Sequence, residues 1–331
     1  MKILVIFTGG TIGSVVKDDW ILNDEKTNFV LLNNYRDITN DALTEFDVCT
    51  PYNILSENLS ARELNLLGSC LEEKLKLSYD GIIVTHGTDT LLYTASALSY
   101  MFSCSEIPVV LVSSDYTLSD VRANGNANFR AAVEFIKSGL GKGVFVSYKN
   151  AADDKAAIHC GNRLAEYREA TAHLYSIDNE PYAFCDGKVS INPAFKPSES
   201  SVGIGAAKLC DNPEILVVQS RPGDNFSYSF DNVKTIILRP YHSATLNTQC
   251  REFDAFCTKA AEKNIPMFLV NVYDGIKYAS SKLFDELGIE ILPFCSFTAI
   301  YMKCWLAISL GEDVHSFVKK PIAGEFVKRE L

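Results

Sequence analysis

The 331-residue chain is short of positive charge. Its 31 Lys and Arg stand against 41 Asp and Glu, a formal net charge of −10. Nucleic acid and anionic membrane surfaces both attract a basic face, so neither is an expected partner. A small substrate is not excluded, because a local site can be positive in an acidic protein. No apolar run approaches the roughly 18 residues that a membrane helix needs. No basic stretch followed by an apolar one precedes the first strand, so no signal peptide is expected and the chain reads as cytoplasmic. The ten cysteines form no CxxC and share no zinc-like spacing with histidine. They are expected to be reduced and mostly buried. HExxH, GxSxG and Walker A patterns are absent, and the first glycine turn is out of phase for G-x-G-x-x-G. No metal and no cofactor is expected.

What is present is a soluble globular composition, 47% hydrophobic and 22% charged, in a chain long enough for two domains. The sequence is organised around Gly81–Thr94, GIIVTHGTDTLLYT. Ile82, Ile83 and Val84 form a buried strand, HGTDT a polar turn, and Leu91, Ala95, Leu98 and Phe102 a helix. Lys2–Phe7 repeats the pattern as a strand that runs into TGGTIG. The polar stretch that follows, SVVKDDWILND, reads as either a hairpin or a mobile loop over the first turn. A strand at 44–50, a turn through Ser56, Glu57 and Asn58, and a helix opened by a Ser60/Glu63 capping box come next. Strands at 108–112 and 143–148 flank a helix around 125–138. These steps predict an α/β fold with a larger, doubly wound, mostly parallel N-terminal sheet.

Residues 192–203, with two prolines and three serines, read as a linker. A second, smaller α/β pattern follows. It has strands at 214–218, 235–239, 266–270 and 289–292, and helices near 248–263, 279–287 and 297–310. The expected organisation is 1–191, a linker at 192–211, and 212–331.

Both glycine turns lie at the carboxyl ends of buried strands, where open α/β sheets bind ligands. Thr11 or Thr88 alone reads as a helix cap. Two such hydroxyls in facing turns, with the Asp89 carboxylate beside them, suit stepwise acyl transfer, with backbone N–H groups available to an oxyanion. His86 reads as a structural histidine under its turn.

TGGTIG near the start, with HGTDT about eighty residues later, resembles the asparaginase–glutaminase amidohydrolases, nearest the cytoplasmic type I form. The likeness is best over residues 1 to about 135. It implies that Thr11 attacks a side-chain amide, that Thr88 and Asp89 assist, and that Ser56, Glu57 and Asp89 hold the substrate's α-carboxylate and α-amino groups. It also implies a small amino-acid amide as substrate and a homo-oligomer, with dimers pairing into a tetramer.

Four positions depart from the family pattern. Glu166, in GNRLAEY, stands where a relay lysine is usual. Trp20 stands for a loop tyrosine, Thr298 for a neighbour-directed glutamate, and SSDYT (113–117) for a Gly/Ala-containing strand end. Glu166 puts an anion where a cation completed the proton relay, and two nearby carboxylates raise each other's pKa. Lys149, Lys155 and Tyr167 are candidate replacements. Two readings therefore stand: hydrolysis of asparagine or a related ω-amide, or an impaired scaffold that binds an amino acid or hydrolyses a different amide. Trp20 can also be read simply as a packing aromatic.

Overall fold

A computed structural model describes residues 1–331 except 24–25, 168–170, 202, 273–277 and 329–331, together with the side chains of 26 and 28. The chain divides into two compact units, Met1–Lys196 with Val202–Lys208, and Pro197–Ser201 with Leu209–Leu331. The segment read as a linker is thus shared out between them. Ser201 N–H donates to Pro321 O, whereas Ile204 N–H donates to Tyr100 O.

The first unit runs β1 (Lys2–Phe7), β2 (Ser14–Lys17), β3 (Trp20–Asn23), α1 (Lys26–Thr39), β4 (Glu45–Cys49), α2 (Ala61–Lys74), β5 (Gly81–Thr85), α3 (Leu91–Phe102), β6 (Pro108–Val112), α4 (Gly125–Ser138), β7 (Gly143–Tyr148), β8 (Ala156–Cys160), β9 (Ala183–Cys185) and β10 (Val189–Ile191). One eight-stranded sheet has the order β10-β9-β8-β7-β6-β5-β1-β4. Strands β4, β1, β5, β6 and β7 are parallel, and β8 to β10 add an antiparallel edge. Strands β1, β5 and β6 read as apolar runs because both faces are covered, whereas the outer strand β4 is partly exposed. Ile3, Val5, Ile83 and Val110 pack with Leu31, Phe129 and Val133 of α1 and α4. Leu4, Ile6, Ile82 and Val84 point the other way and are equally buried.

The chain leaves β1 for β4 on one side and returns to β5 on the other. That reversal opens a crevice at the carboxyl ends of β1 and β5, the switch point of a doubly wound sheet. The two Thr-rich turns lie there.

Some elements of this unit escape the sequence reading. Helix α1 carries apolar side chains on two faces: Leu31, Leu32 and Tyr35 are buried, while Phe29, Val30 and Ile38 are exposed. Its periodicity is blurred as a result. Strands β9 and β10 have three residues each. Of the two readings of the stretch after Gly13, the hairpin holds: β2 and β3 pair antiparallel, turned by Asp18 and Asp19, both at positive φ. The capping box differs. Ser60 is the N-cap of α2, but its hydroxyl donates to the Glu63 carboxylate and makes no side-chain cap bond.

The second unit holds β11 (Ile215–Gln219), β12 (Thr235–Arg239), α5 (Arg251–Glu262), β13 (Met267–Leu269), β14 (Ile289–Ile291), α6 (Phe297–Leu310) and α7 (Val314–Lys319). Its four strands are parallel and sequential. Phe253, Phe256 and Ala260 of α5 cover one face, and Phe297, Ile300 and Cys304 of α6 the other. The helix expected at 279–287 is only a 3-10 turn, Ala279–Leu283. Inside α6, Lys303 is fully buried and ion-paired with Glu325, which also accepts from Ala323 N–H at 2.9 Å.

Candidate active site

The first turn is fixed by its neighbours on both sides. Thr8 Oγ1 donates to Thr85 O at 2.6 Å, which ties the end of β1 to the end of β5. Gly10 N–H donates to Ile54 O at 2.9 Å, and Ile54 N–H to Thr8 O at 3.1 Å. The segment between β4 and α2 is thereby stitched to the same turn. Gly9 and Gly10 sit at φ 98° and 77°, where L side chains are strained. The chain then enters a 3-10 turn at Thr11–Gly13.

The second turn is built on His86, which is buried and 2.8 Å from Gly87 O through Nδ1. A carbonyl only accepts, so Nδ1 carries the proton, and Nε2 accepts from Thr94 Oγ1 at 2.9 Å. Burial pushes the imidazole down to about 4, so it is neutral at pH 7. Its role is to fix the Gly87–Thr88 peptide, in keeping with a structural histidine.

Glycine brings the turns together. A Cβ on Gly10 would lie 2.8 Å from the His86 carbonyl carbon, and one on Gly87 would lie 2.6 Å from Ser56 Cβ. Real Cβ atoms do not approach that closely, so the Gly10 and Gly87 backbones meet, and the Ser56 side chain packs on Gly87, only because these positions lack side chains. Thr11 and Thr88 each follow one of these touching glycines. Ser56, buried, donates to Asp89 Oδ2 at 3.2 Å, and Thr90 Oγ1 donates to Ser56 O at 2.8 Å. Thr11 and Thr88 are half-buried, Asp89 and Glu57 exposed. Of the five site residues read from the sequence, Ser56 and Asp89 are in direct contact, and Thr11 and Thr88 each follow a glycine of the touching turns. Glu57 adjoins Ser56 in the same 3-10 turn and faces solvent.

The strand-end segment 113–117 follows β6, the neighbour of β5 in the sheet. Asp115 and Asn124 exchange two hydrogen bonds, Asp115 N–H to Asn124 Oδ1 at 3.1 Å and Asn124 N–H to Asp115 Oδ1 at 3.2 Å. Ser113 Oγ is buried with no partner among the described residues.

Of the candidate replacements for the missing lysine, Lys155 is committed to Asp186 at 2.9 Å. Tyr167 differs. Its hydroxyl is buried and has no hydrogen-bond partner among the described residues. Burial first, then the charges of Tyr148, Asp89 and Asp115, raise its pKa well above the usual value. It is a protonated donor in the electrostatic field of the site. Glu166, next to it, is half-buried.

The remaining departures take definite places. Trp20 opens β3 on the hairpin and is 72% exposed, so it is not a packing aromatic within this chain. Val16, Ile21 and Leu22 of the same hairpin are exposed as well. Thr298 is 1% exposed and bonded to Ser296 Oγ at 2.9 Å, which holds it inside its own unit. Among the described residues no three His, Cys, Asp or Glu cluster as metal ligands would, and no helix is long and apolar enough to cross a membrane.

A family model described as asparaginase, N-terminal, matches residues 2–194. The chain is 26% identical over 347 residues to the L-asparaginase of Thermococcus kodakarensis, covering 98% of this chain and 99% of that one. The solved structure of that thermostable enzyme superposes with a TM-score of 0.82 at 23% identity, over 99% of this chain and all of the other. L-asparaginase I of Vibrio cholerae superposes with a TM-score of 0.79 at 21% identity, over 98% and 99%. A glutamyl-tRNA(Gln) amidotransferase polypeptide from Methanosarcina barkeri is 28% identical over 192 residues, which is 56% of this chain but only 43% of that protein.

Proposed function

The chain belongs to the asparaginase family of amidohydrolases, and we propose that it hydrolyses the side-chain amide of L-asparagine, or a closely related ω-amide, through an acyl-enzyme on Thr11. The observation that carries this reading is the meeting of the Gly10 and Gly87 backbones at the switch point, each followed directly by a threonine. Thr11 Oγ attacks the amide carbon, its proton passes toward Thr88 and Asp89, and the nitrogen leaves as ammonia. Water then attacks the ester and restores the hydroxyl. Ser56, Glu57 and Asp89 hold the amino-acid end, with the Ser56–Asp89 bond orienting the carboxylate for an α-ammonium. Tyr167, lacking an acceptor among the described residues, offers a proton donor where the family's lysine is replaced by Glu166.

A cytoplasmic homo-oligomer, dimers pairing into a tetramer, completes the reading. The exposed apolar side chains of Val16, Trp20, Ile21 and Leu22 suit a covering partner.

The second reading, a scaffold that binds an amino acid or takes another amide, is favoured by Glu166 in place of a cation. Ammonia release separates the two. The first reading expects turnover of L-asparagine by the parent protein. No turnover, with asparagine still raising the unfolding temperature, supports binding alone. Turnover of a substituted, more cationic amide, with none of asparagine, supports a changed substrate.

A further inference from the structure

Cys49 and Cys70 come from separate elements, yet their sulfurs lie 3.8 Å apart. Cys49 is the last residue of β4, the outer parallel strand of the sheet. It pairs in register with Ile6 and so faces the same side of the sheet as that residue. Cys70 lies in α2 beside the buried Leu67 and Leu71. Neither is in a disulfide, and both are half-buried, so a small solute reaches them. Lys74 stands one helical turn beyond Cys70; it is ion-paired with Glu73 at 3.5 Å, and its charge also reaches both sulfurs.

We infer that Cys49 and Cys70 form a reversible dithiol–disulfide pair, oxidised by a small hydroperoxide. The sulfurs need to close from 3.8 Å to about 2.0 Å, a movement of about 1.8 Å.

Either thiol can donate in this contact; with Cys70 as donor, the hydrogen bond and the Lys74 charge favour the Cys49 thiolate, while burial and Glu73 oppose it. The chemistry starts there. The Cys49 thiolate attacks one peroxide oxygen, the O–O bond breaks, and the leaving oxygen takes a proton to become water. Cys49 is then a sulfenic acid. Cys70 attacks its sulfur, the S–O bond breaks, and the hydroxyl leaves with the Cys70 proton as a second water. Two thiols lose two electrons in all, and hydrogen peroxide gains them. A dithiol reductant reverses the step by exchange.

The bridge closes the loop from 49 to 70. Within that loop Ile54 holds Gly10, and Ser56 packs on Gly87. The pair therefore sits on the segment that supports the site, although the inference itself stands apart from any amide reaction.

The test uses the full chain and hydrogen peroxide, followed by alkylation and tryptic digestion without reductant. Mass spectrometry should find Asp37–Arg62 linked to Glu63–Lys74, with free thiols falling from ten to eight. Dithiothreitol should reverse both changes. Cys70→Ser should let a sulfenic acid build up on Cys49, trapped by dimedone, and Lys74→Met should slow linkage several-fold. Peroxide that consumes other thiols first, or leaves 37–62 and 63–74 unlinked in the parent protein, overturns the inference.

Discussion

A Cβ placed on Gly10 would lie 2.8 Å from the carbonyl carbon of His86, so the TGGTIG turn and the HGTDT turn are in backbone contact. Gly10 also sits at φ 77°. Gly10→Ala and Gly87→Ala should each destabilise the fold by about 1–3 kcal/mol through overpacking. Each should lower activity more than that loss of folded protein explains, because Thr11 and Thr88 are pushed apart. Thermal unfolding and ammonia release, measured on the same samples, check this.

Tyr167 carries a buried hydroxyl without a partner among the described residues. Removing an unpaired buried donor relieves a desolvation cost. Tyr167→Phe should therefore leave the unfolding temperature equal or higher. If the hydroxyl handles a proton in the reaction, kcat should fall by a factor on the order of 10². An unchanged kcat would remove Tyr167 from the proton path.

Two buried histidines make the fold sensitive to mild acid. Burial lowers His86 to about 4 and His159 to about 3. Both folded values lie below the unfolded value near 6.5, so the unfolded chain binds more protons in between. The stability tied to neutral imidazoles is complete above pH 6.5 and is lost as pH falls. Each histidine contributes roughly 1.4 kcal/mol per pH unit. Urea unfolding between pH 7 and 5 should show this slope, and His159→Gln should reduce it by about half within that window.

The second unit holds a buried ion pair. Lys303 and Glu325 are both fully buried, and Lys303 also donates to Lys320 O. Losing one partner strands the other charge, so Glu325→Leu or Lys303→Met should cost roughly 3–5 kcal/mol. The double variant should cost less than the sum of the two. Additive losses in denaturant unfolding would mean that the pair is not coupled.

Much of this is legible in the sequence, and the reasons are local. β1 and β5 are buried on both faces, so their apolar runs are unmistakable, and the polar turns that end them announce the crevice. The pattern at 297–310 predicts α6 with the bounds it has in the structure. The hidden parts depend on contacts that no local pattern carries. α1 is apolar on two faces, and β9 and β10 are too short to alternate clearly. Trp20 reads as packing because an aromatic usually packs, but the positive-φ turn at Asp18–Asp19 holds it out in solvent. Nothing near Lys303 in sequence marks it as buried, since Glu325 lies 22 residues on. The Cys49–Cys70 contact likewise joins residues 21 apart. Four of the ten cysteines are buried, fewer than expected.

The most direct test of the central claim is the rate of ammonia release from L-asparagine by the parent protein beside a folded Thr11→Ala variant. Thr11 as nucleophile predicts measurable release by the parent and a fall of at least about 10³ in kcat for the variant. Release at a comparable rate from Thr11→Ala would contradict it, because no acyl-enzyme can form on an alanine.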